Sequence, residues 1–145
     1  MLRTYLRFVL QSVLGMLGLS VYILADTFFI ANYIGADALA ARLTEGKARF
    51  DDGGRLAAQG TVNAGLLAWM MQDPYLSAPP PKTTGREVYG AAYVDALCAH
   101  ARTLGVSLRD TLSTATRFTA ECIREGVERF CPQRPERLIV GGGGS

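Results

Sequence analysis

The chain has 145 residues, a net charge of +2 and 49% hydrophobic residues. That length holds one domain at most. So small a charge, without a basic stripe, excludes nucleic-acid binding led by electrostatics; the apolar content excludes full disorder; three scattered cysteines exclude a disulfide scaffold.

The apolar residues are spread unevenly. Residues 1–40 hold 27 hydrophobic residues and only four charges, Arg3, Arg7, Asp26 and Asp37. From Phe8 to Ala25, FVLQSVLGMLGLSVYILA, 18 residues carry no charge. At 1.5 Å per residue they extend roughly 27 Å, close to the thickness of a bilayer core. The pattern predicts a single transmembrane helix, with a membrane as the partner of residues 8–25. Arg3 and Arg7 precede it and keep the N-terminus cytoplasmic, so that the remainder lies outside. Asp26 reads as a helix-end residue rather than an intramembrane functional acid.

The composition shifts at Arg42, which divides the chain into residues 1–41 and 42–145. Phe50-Asp51-Asp52-Gly53-Gly54 is a turn signal. Arg55 to Gln72 reads as helical, broken near Gly60, with Leu66, Leu67, Met70 and Met71 as its apolar face. Asp73-Pro74 ends it. Ala78-Pro79-Pro80-Pro81 is an extended connector. Val88 to Arg102 reads as a second helix, stopped by Gly105. A third runs from Leu108 to Phe130, with Ser107 as N-cap. Its apolar spacing predicts a buried face of Leu108, Leu112, Ala115, Thr119, Cys122, Ile123 and Phe130.

Pro132 closes that helix, and Arg137 to Val140 reads as a strand feeding Gly141-Gly142-Gly143-Gly144-Ser145. One strand has no ladder to join, and a parallel sheet needs several. The expected fold class is therefore mainly α with a lone C-terminal strand, a piece of a larger α/β domain behind an N-terminal transmembrane helix. Cys98 and His100 lie two apart on a predicted helix and so point apart, a poor metal pair. No metal site and no catalytic residue is assigned.

Two family resemblances follow. RFVLQSVLGMLGLSVYILADTFFIANYIGADALAA, about residues 5–41, resembles the first transmembrane helix and following turn of the MATE multidrug efflux transporters. About residues 45–145 resemble the C-terminal half of anhydro-N-acetylmuramic acid kinase. That resemblance rests on Asp52-Gly53-Gly54-Arg55-Leu56-Ala57-Ala58-Gln59-Gly60, on Asp73-Pro74-Tyr75 leading to Pro79-Pro80-Pro81-Lys82-Thr83-Thr84-Gly85-Arg86-Glu87, and on Arg137-Leu138-Ile139-Val140 before the glycines.

The kinase resemblance implies the two-lobed actin, Hsp70 and sugar-kinase fold and a cytoplasmic enzyme of cell-wall recycling. It implies ATP and Mg2+ as cofactors and a sugar and a nucleotide as small-molecule partners. By resemblance, Gly141, Gly142, Gly143 and Gly144 lie beside the nucleotide, where a residue without Cβ allows close backbone approach; a linker is the other reading of GGGGS. Lys82, Thr83, Thr84, Gly85, Arg86 and Glu87 combine cations, hydroxyls and a turn that could hold a phosphate or sugar hydroxyl, or could be structural. The family's phosphate loop and the stretch with its catalytic aspartate are absent, and Asp51, Asp52 and Asp73 lack the matching context. The expectation is an inactive truncated or chimeric kinase portion joined near residues 40–45. A piece of a MATE transporter, or a non-catalytic membrane-anchored module, is the alternative.

Overall fold

The structure, a computed structural model, describes residues 3, 5–7, 9–11, 13, 36–79, 82, 84 and 86–131. Among those from residue 36 on, six α-helices follow one another: α1 (Ala36–Leu43), α2 (Ala64–Met70), α3 (Pro74–Ser77), α4 (Arg86–Tyr89), α5 (Ala91–Thr103) and α6 (Leu108–Phe130). Short 3₁₀ turns at Asp52–Gly54 and Ala57–Gln59 bridge α1 and α2. The helix α6 is the axis of the assembly. The 57–59 turn, α1, α2, α3 and α5 all pack on it, and α4 packs on α5.

The start of α6 is set locally. Ser107 Oγ accepts the Asp110 backbone N–H at 3.1 Å and donates to the Asp110 carboxylate at 2.7 Å, a reciprocal cap at the first turn. Leu112, Ala115 and Cys122 are buried, as their spacing predicts. Thr111, Thr114 and Phe118 are buried too, whereas Thr119, Ile123 and Phe130 are half-buried. The buried face is rotated toward the threonines because their hydroxyls arrive already bonded. Thr111 Oγ1 donates to Ser107 O at 2.8 Å and Thr114 Oγ1 to Asp110 O at 2.6 Å. A hydroxyl bonded to its own helix enters a core without the cost of an unmet polar group.

The interruption expected at Gly60 is a close crossing. A Cβ on Gly60 would lie 2.5 Å from the Arg109 carbonyl oxygen and 2.9 Å from Ser113 Cβ. The chain on either side is laced to α6. The Thr61 N–H donates to Asp110 Oδ1 at 2.7 Å, the Asn63 N–H to Thr114 Oγ1 at 3.0 Å, and Ser113 Oγ to Gly60 O at 3.3 Å. Asn63 then caps α2 by accepting the Leu66 N–H at 2.9 Å. Leu66 and Met70 are buried, and Leu67 and Met71 flank them half-exposed.

The second expected helix is divided. Gly90 adopts an extended ψ, so α4 ends at Tyr89 and α5 begins at Ala91. Its predicted stop is where the sequence puts it. Gly105 takes a left-handed φ of +67°, and the Val106 N–H returns to Ala101 O at 2.9 Å. Cys98 is buried in the core, while His100 stacks on Trp69 with ring centroids 4.6 Å apart.

The largest departure from the sequence reading is α1. Read as the turn after a transporter-like helix, it is instead part of the core. Leu39 and Ala40 are fully buried, and Arg42 reaches α5, donating to the Asp95 carboxylate and, at 3.5 Å, to Cys98 Sγ. The chain compacts before the composition changes at Arg42, because α1 needs only one apolar strip to pack.

The described residues are helices, turns and connectors, in keeping with a mainly α region, and contain no strand. The lone strand expected at Arg137–Val140 lies outside them, as does most of the transmembrane helix expected over residues 8–25. Among the described residues, no helix is long and apolar enough to cross a membrane.

Replacement of Gly60 by alanine forces the crossing apart, since the obstructing atom is backbone. Gly60→Ala is expected to lower unfolding free energy by about 2 kcal/mol, read as a fall in the urea midpoint at unchanged slope. The Asp110 carboxyl is held below its ordinary value, chiefly by the Thr61 N–H and then by Ser107. Its stabilising contribution is complete above the unfolded value near 3.8 and disappears as pH falls through the lower folded value. The acid limb of a stability–pH profile should therefore be shallower in Asp110→Asn than in the parent chain.

Candidate functional site

The string from Asp73 to Glu87 converges on one cluster. Asp73 precedes Pro74 and caps α3, its Oδ1 accepting the Tyr75 N–H at 2.9 Å. Proline at the first helical position fixes φ and removes a donor that would have no partner. The second oxygen of Asp73 accepts the Tyr89 hydroxyl at 3.0 Å, which ties α3 to α4. Tyr89 is fully buried. Its ring meets Tyr75 edge-on at 6.1 Å and Tyr93 edge-on at 5.0 Å. Burial pushes the Tyr89 phenol well above its ordinary value, and the Asp73 charge adds to this. Burial and then Asp73 do the same to Tyr93. The raised values favour the protonated phenols, and of the two it is Tyr89 whose hydroxyl is seen to donate, to Asp73.

Lys82 closes the cluster. Its ammonium donates to the carbonyls of Tyr75 at 2.9 Å and Leu76 at 3.2 Å, at the exposed carbonyl end of α3. It stands 4.7 Å from the Tyr75 ring centroid and 5.1 Å from that of Phe130, at the last turn of α6. Two carbonyls and two ring faces form a cage matched to a cation. Thr84, two residues on, is 4% exposed. Its hydroxyl and that of Tyr93 are buried without a hydrogen-bond partner among the described residues.

Of the six loop residues singled out in the sequence, Lys82 is thus brought to the cluster, and Thr84 is buried. Arg86 and Glu87 open α4. Thr83 and Gly85 lie outside the described residues, as do Gly141, Gly142, Gly143 and Gly144.

The Asp52–Gly60 string forms a separate place. A groove of about 360 Å³ is bordered by Thr44, Phe50, Asp52, Arg55 and Gln59. Its acids are occupied. Asp51 accepts the Leu56 and Ala57 N–H groups with its two oxygens, each at 2.8 Å. Asp52 pairs with Arg55 at 2.7 Å. Gly53 and Gly54 hold left-handed φ values that let the backbone fold back under Asp51. The residues that border the groove all precede Gly60, and neither Lys82 nor Thr84 is among them.

Lys82 and the carboxylates of Asp51, Asp52 and Asp73 are not disposed to hold a nucleotide phosphate or Mg2+. The Lys82 ammonium is turned toward the protein's own carbonyls and rings, the carboxylates of Asp51, Asp52 and Asp73 serve backbone caps or ion pairs, and no group of three His, Cys, Asp or Glu is gathered among the described residues.

Comparison with known proteins names the family. Residues 33–145 match the family described as "AnmK: Anhydro-N-acetylmuramic acid kinase". The chain belongs to the anhydro-N-acetylmuramic acid kinase family. It is 39% identical over 109 residues to the anhydro-N-acetylmuramic acid kinase of Synechocystis, covering 75% of this chain and 28% of that one. It is 39% identical over 111 residues to the Caldanaerobacter subterraneus kinase, with the same two coverages. The Burkholderia cenocepacia kinase is 41% identical over 95 residues, 65% of this chain and 24% of that one. The chain thus spans about a quarter to three tenths of the length of these curated relatives. The kinase-family match begins at residue 33 and so includes α1, inside the stretch of residues 5–41 expected to be transporter-like; the comparisons do not support that expectation. The buried Leu39 and Ala40 give the physical reason.

Sequence reasoning did not assign Tyr89, Tyr93 or Phe130 to the site, and gave Phe130 only as part of the buried face of the last helix. A signal was present for the first two: aromatics four apart just after the kinase-like string would share one face of the helix read over Val88 to Arg102, although Gly90 divides that helix. Phe130 could not be linked to Lys82, because only the folded chain brings the end of α6 to α3.

The cluster predicts its own perturbations. Tyr89→Phe removes a hydrogen bond to a carboxylate and is expected to cost about 2 kcal/mol. Lys82→Met keeps the stem but loses the caged charge and its bonds to the Tyr75 and Leu76 carbonyls, of which the Tyr75 carbonyl keeps the Ala78 N–H, for about 1–2 kcal/mol. Chemical denaturation of the two variants measures both; an unchanged midpoint for either would contradict the cluster as described.

Proposed function

We propose that this chain carries the C-terminal part of an ATP-dependent sugar kinase that opens and phosphorylates 1,6-anhydro-N-acetylmuramic acid, and that the 145-residue polypeptide does not turn over by itself. The observation that supports this is the family match over residues 33–145, which includes the PPPKTTGRE string. Phosphoryl transfer rests on positioning and on charge stabilisation at the transferring group. The described part supplies positioning only. Asp73, Tyr89 and Lys82 brace the loop that carries Thr83, Gly85, Arg86 and Glu87, and they spend their own charges in doing so.

In this reading Lys82 is a positioning residue. The buried hydroxyls of Thr84 and Tyr93 are the groups with hydrogen-bonding capacity left over. The glycines Gly141 to Gly144 remain the candidates for the nucleotide side, and Arg86 and Glu87 for the sugar or phosphate side. The kinase portion works where ATP is, in the cytoplasm, with a small sugar and a nucleotide as its ligands. ATP with Mg2+ supplies the phosphoryl group and its charge neutralisation. The described acids leave that role to groups elsewhere in the kinase fold.

An ATP-dependent phosphorylation assay with 1,6-anhydro-N-acetylmuramic acid is expected to give background turnover for the chain alone. Residues 33–145, exchanged for the matching portion of the Synechocystis kinase, are expected to yield an active chimera. Lys82→Met in that chimera should raise KM or lower kcat without abolishing the fold. Robust turnover by the chain alone would refute the division of labour. A folded but inactive chimera would refute the kinase assignment of this portion.

A further inference from the structure

Five of the nine large hydrophobic side chains exposed among the described residues fall between residues 5 and 13. The backbone is helical at residues 3, 5–7, 9–11 and 13. With 3.6 residues per turn, Arg3, Arg7 and Gln11 lie along one ridge, four apart. Tyr5, Leu6, Val9 and Val13 lie opposite, with Leu10 at the margin. All eight side chains are exposed, Tyr5 by 67% and Leu6 by 56%. A helix with one apolar face packs that face on a core when it has one to pack on. Here the face is open.

We infer that this helix lies in the surface of an anionic phospholipid bilayer, its apolar face among the acyl chains and Arg3 and Arg7 at the headgroups. Charge singles out this occupant. Between residues 1 and 25 the charged side chains are Arg3 and Arg7, both cationic. The ridge therefore offers an anionic surface two attractions and no repulsion. An acidic partner protein would meet the same two cations, yet it would not need so continuous an apolar strip beside them. Basic-ridged helices with an apolar opposite face bind in the interface plane. The role of this helix is independent of the kinase reading. It also differs from that of a spanning segment: an in-plane helix leaves the rest of the chain on the side from which it docks.

The full chain, mixed with equimolar phosphatidylcholine–phosphatidylglycerol vesicles, should float with them, and do so much less with phosphatidylcholine alone or at high salt. Each arginine should contribute about a fivefold change in binding, so Arg3→Gln with Arg7→Gln weakens it about twenty-fivefold. Leu6→Asp with Val9→Asp should abolish it, and alkaline carbonate should release the bound protein. Circular dichroism should be the same for parent and variants, since these side chains are exposed. Absence of flotation overturns the inference. So does carbonate-resistant binding indifferent to the arginines, which describes a spanning segment. Vesicle-free self-association cured by Leu6→Asp with Val9→Asp overturns it too, in favour of a second copy of the chain.

Discussion

The described fold depends on a crossing with no room for a side chain. At Gly60 the chain lies against the backbone of α6, close enough that a methyl group would strike the Arg109 carbonyl. That proximity lets Thr61 and Asn63 reach Asp110 and Thr114 with their backbone N–H groups. Asn63, so fixed, is also the cap of α2. One absent Cβ thus sets the angle at which α2 leaves α6, and Leu66 and Met70 enter the core as a result. Fully burying a leucine or methionine is worth about 1.5–3 kcal/mol. The burial of these two side chains therefore outweighs the entropy of ordering a glycine, about 1–2 kcal/mol.

The helical part of this architecture was legible because its signals are local. Ser107, the three- and four-residue spacing of Leu112, Ala115 and Cys122, and Gly105 each act within a turn of their own position. What was not legible is where a local signal competes with a distant one. Gly90 divides a continuous helical pattern because Tyr89 is drawn down to Asp73 while Ala91 starts on another axis. Thr111 and Thr114 enter the core against their polarity because each is satisfied four residues back. The composition changes at Arg42, while the side chains of Leu39 and Ala40 just before it are already buried. Arg42 itself is bonded to α5.

The candidate site was legible as a string and not as a mechanism. Lys82, Thr84, Arg86 and Glu87 carry the residue types of a phosphate-binding loop, and type alone does not say which way a side chain turns. Lys82 turns inward, since two helix-end carbonyls and two aromatic faces offer its ammonium more than water does at a half-buried position. The same logic holds for the acids. Asp51 precedes its own turn, and its carboxylate is the nearest acceptor for two N–H groups that the glycines expose. Asp73 precedes a proline, and its carboxylate is recruited as a cap.

The cluster between Asp73 and Phe130 is held by contacts within the protein itself. The charges of Asp73 and Lys82 are both met by neighbours between Asp73 and Phe130, so the cluster needs nothing from a nucleotide to be stable. A positioning element needs contacts of this kind, made within the protein itself, so that binding energy is not consumed in arranging it. An amphipathic helix preceding this unit acts on a different variable, local concentration. It can hold the unit at a membrane without entering its core, because the described side chains between residues 3 and 13 are exposed and take no place among the buried residues of the unit.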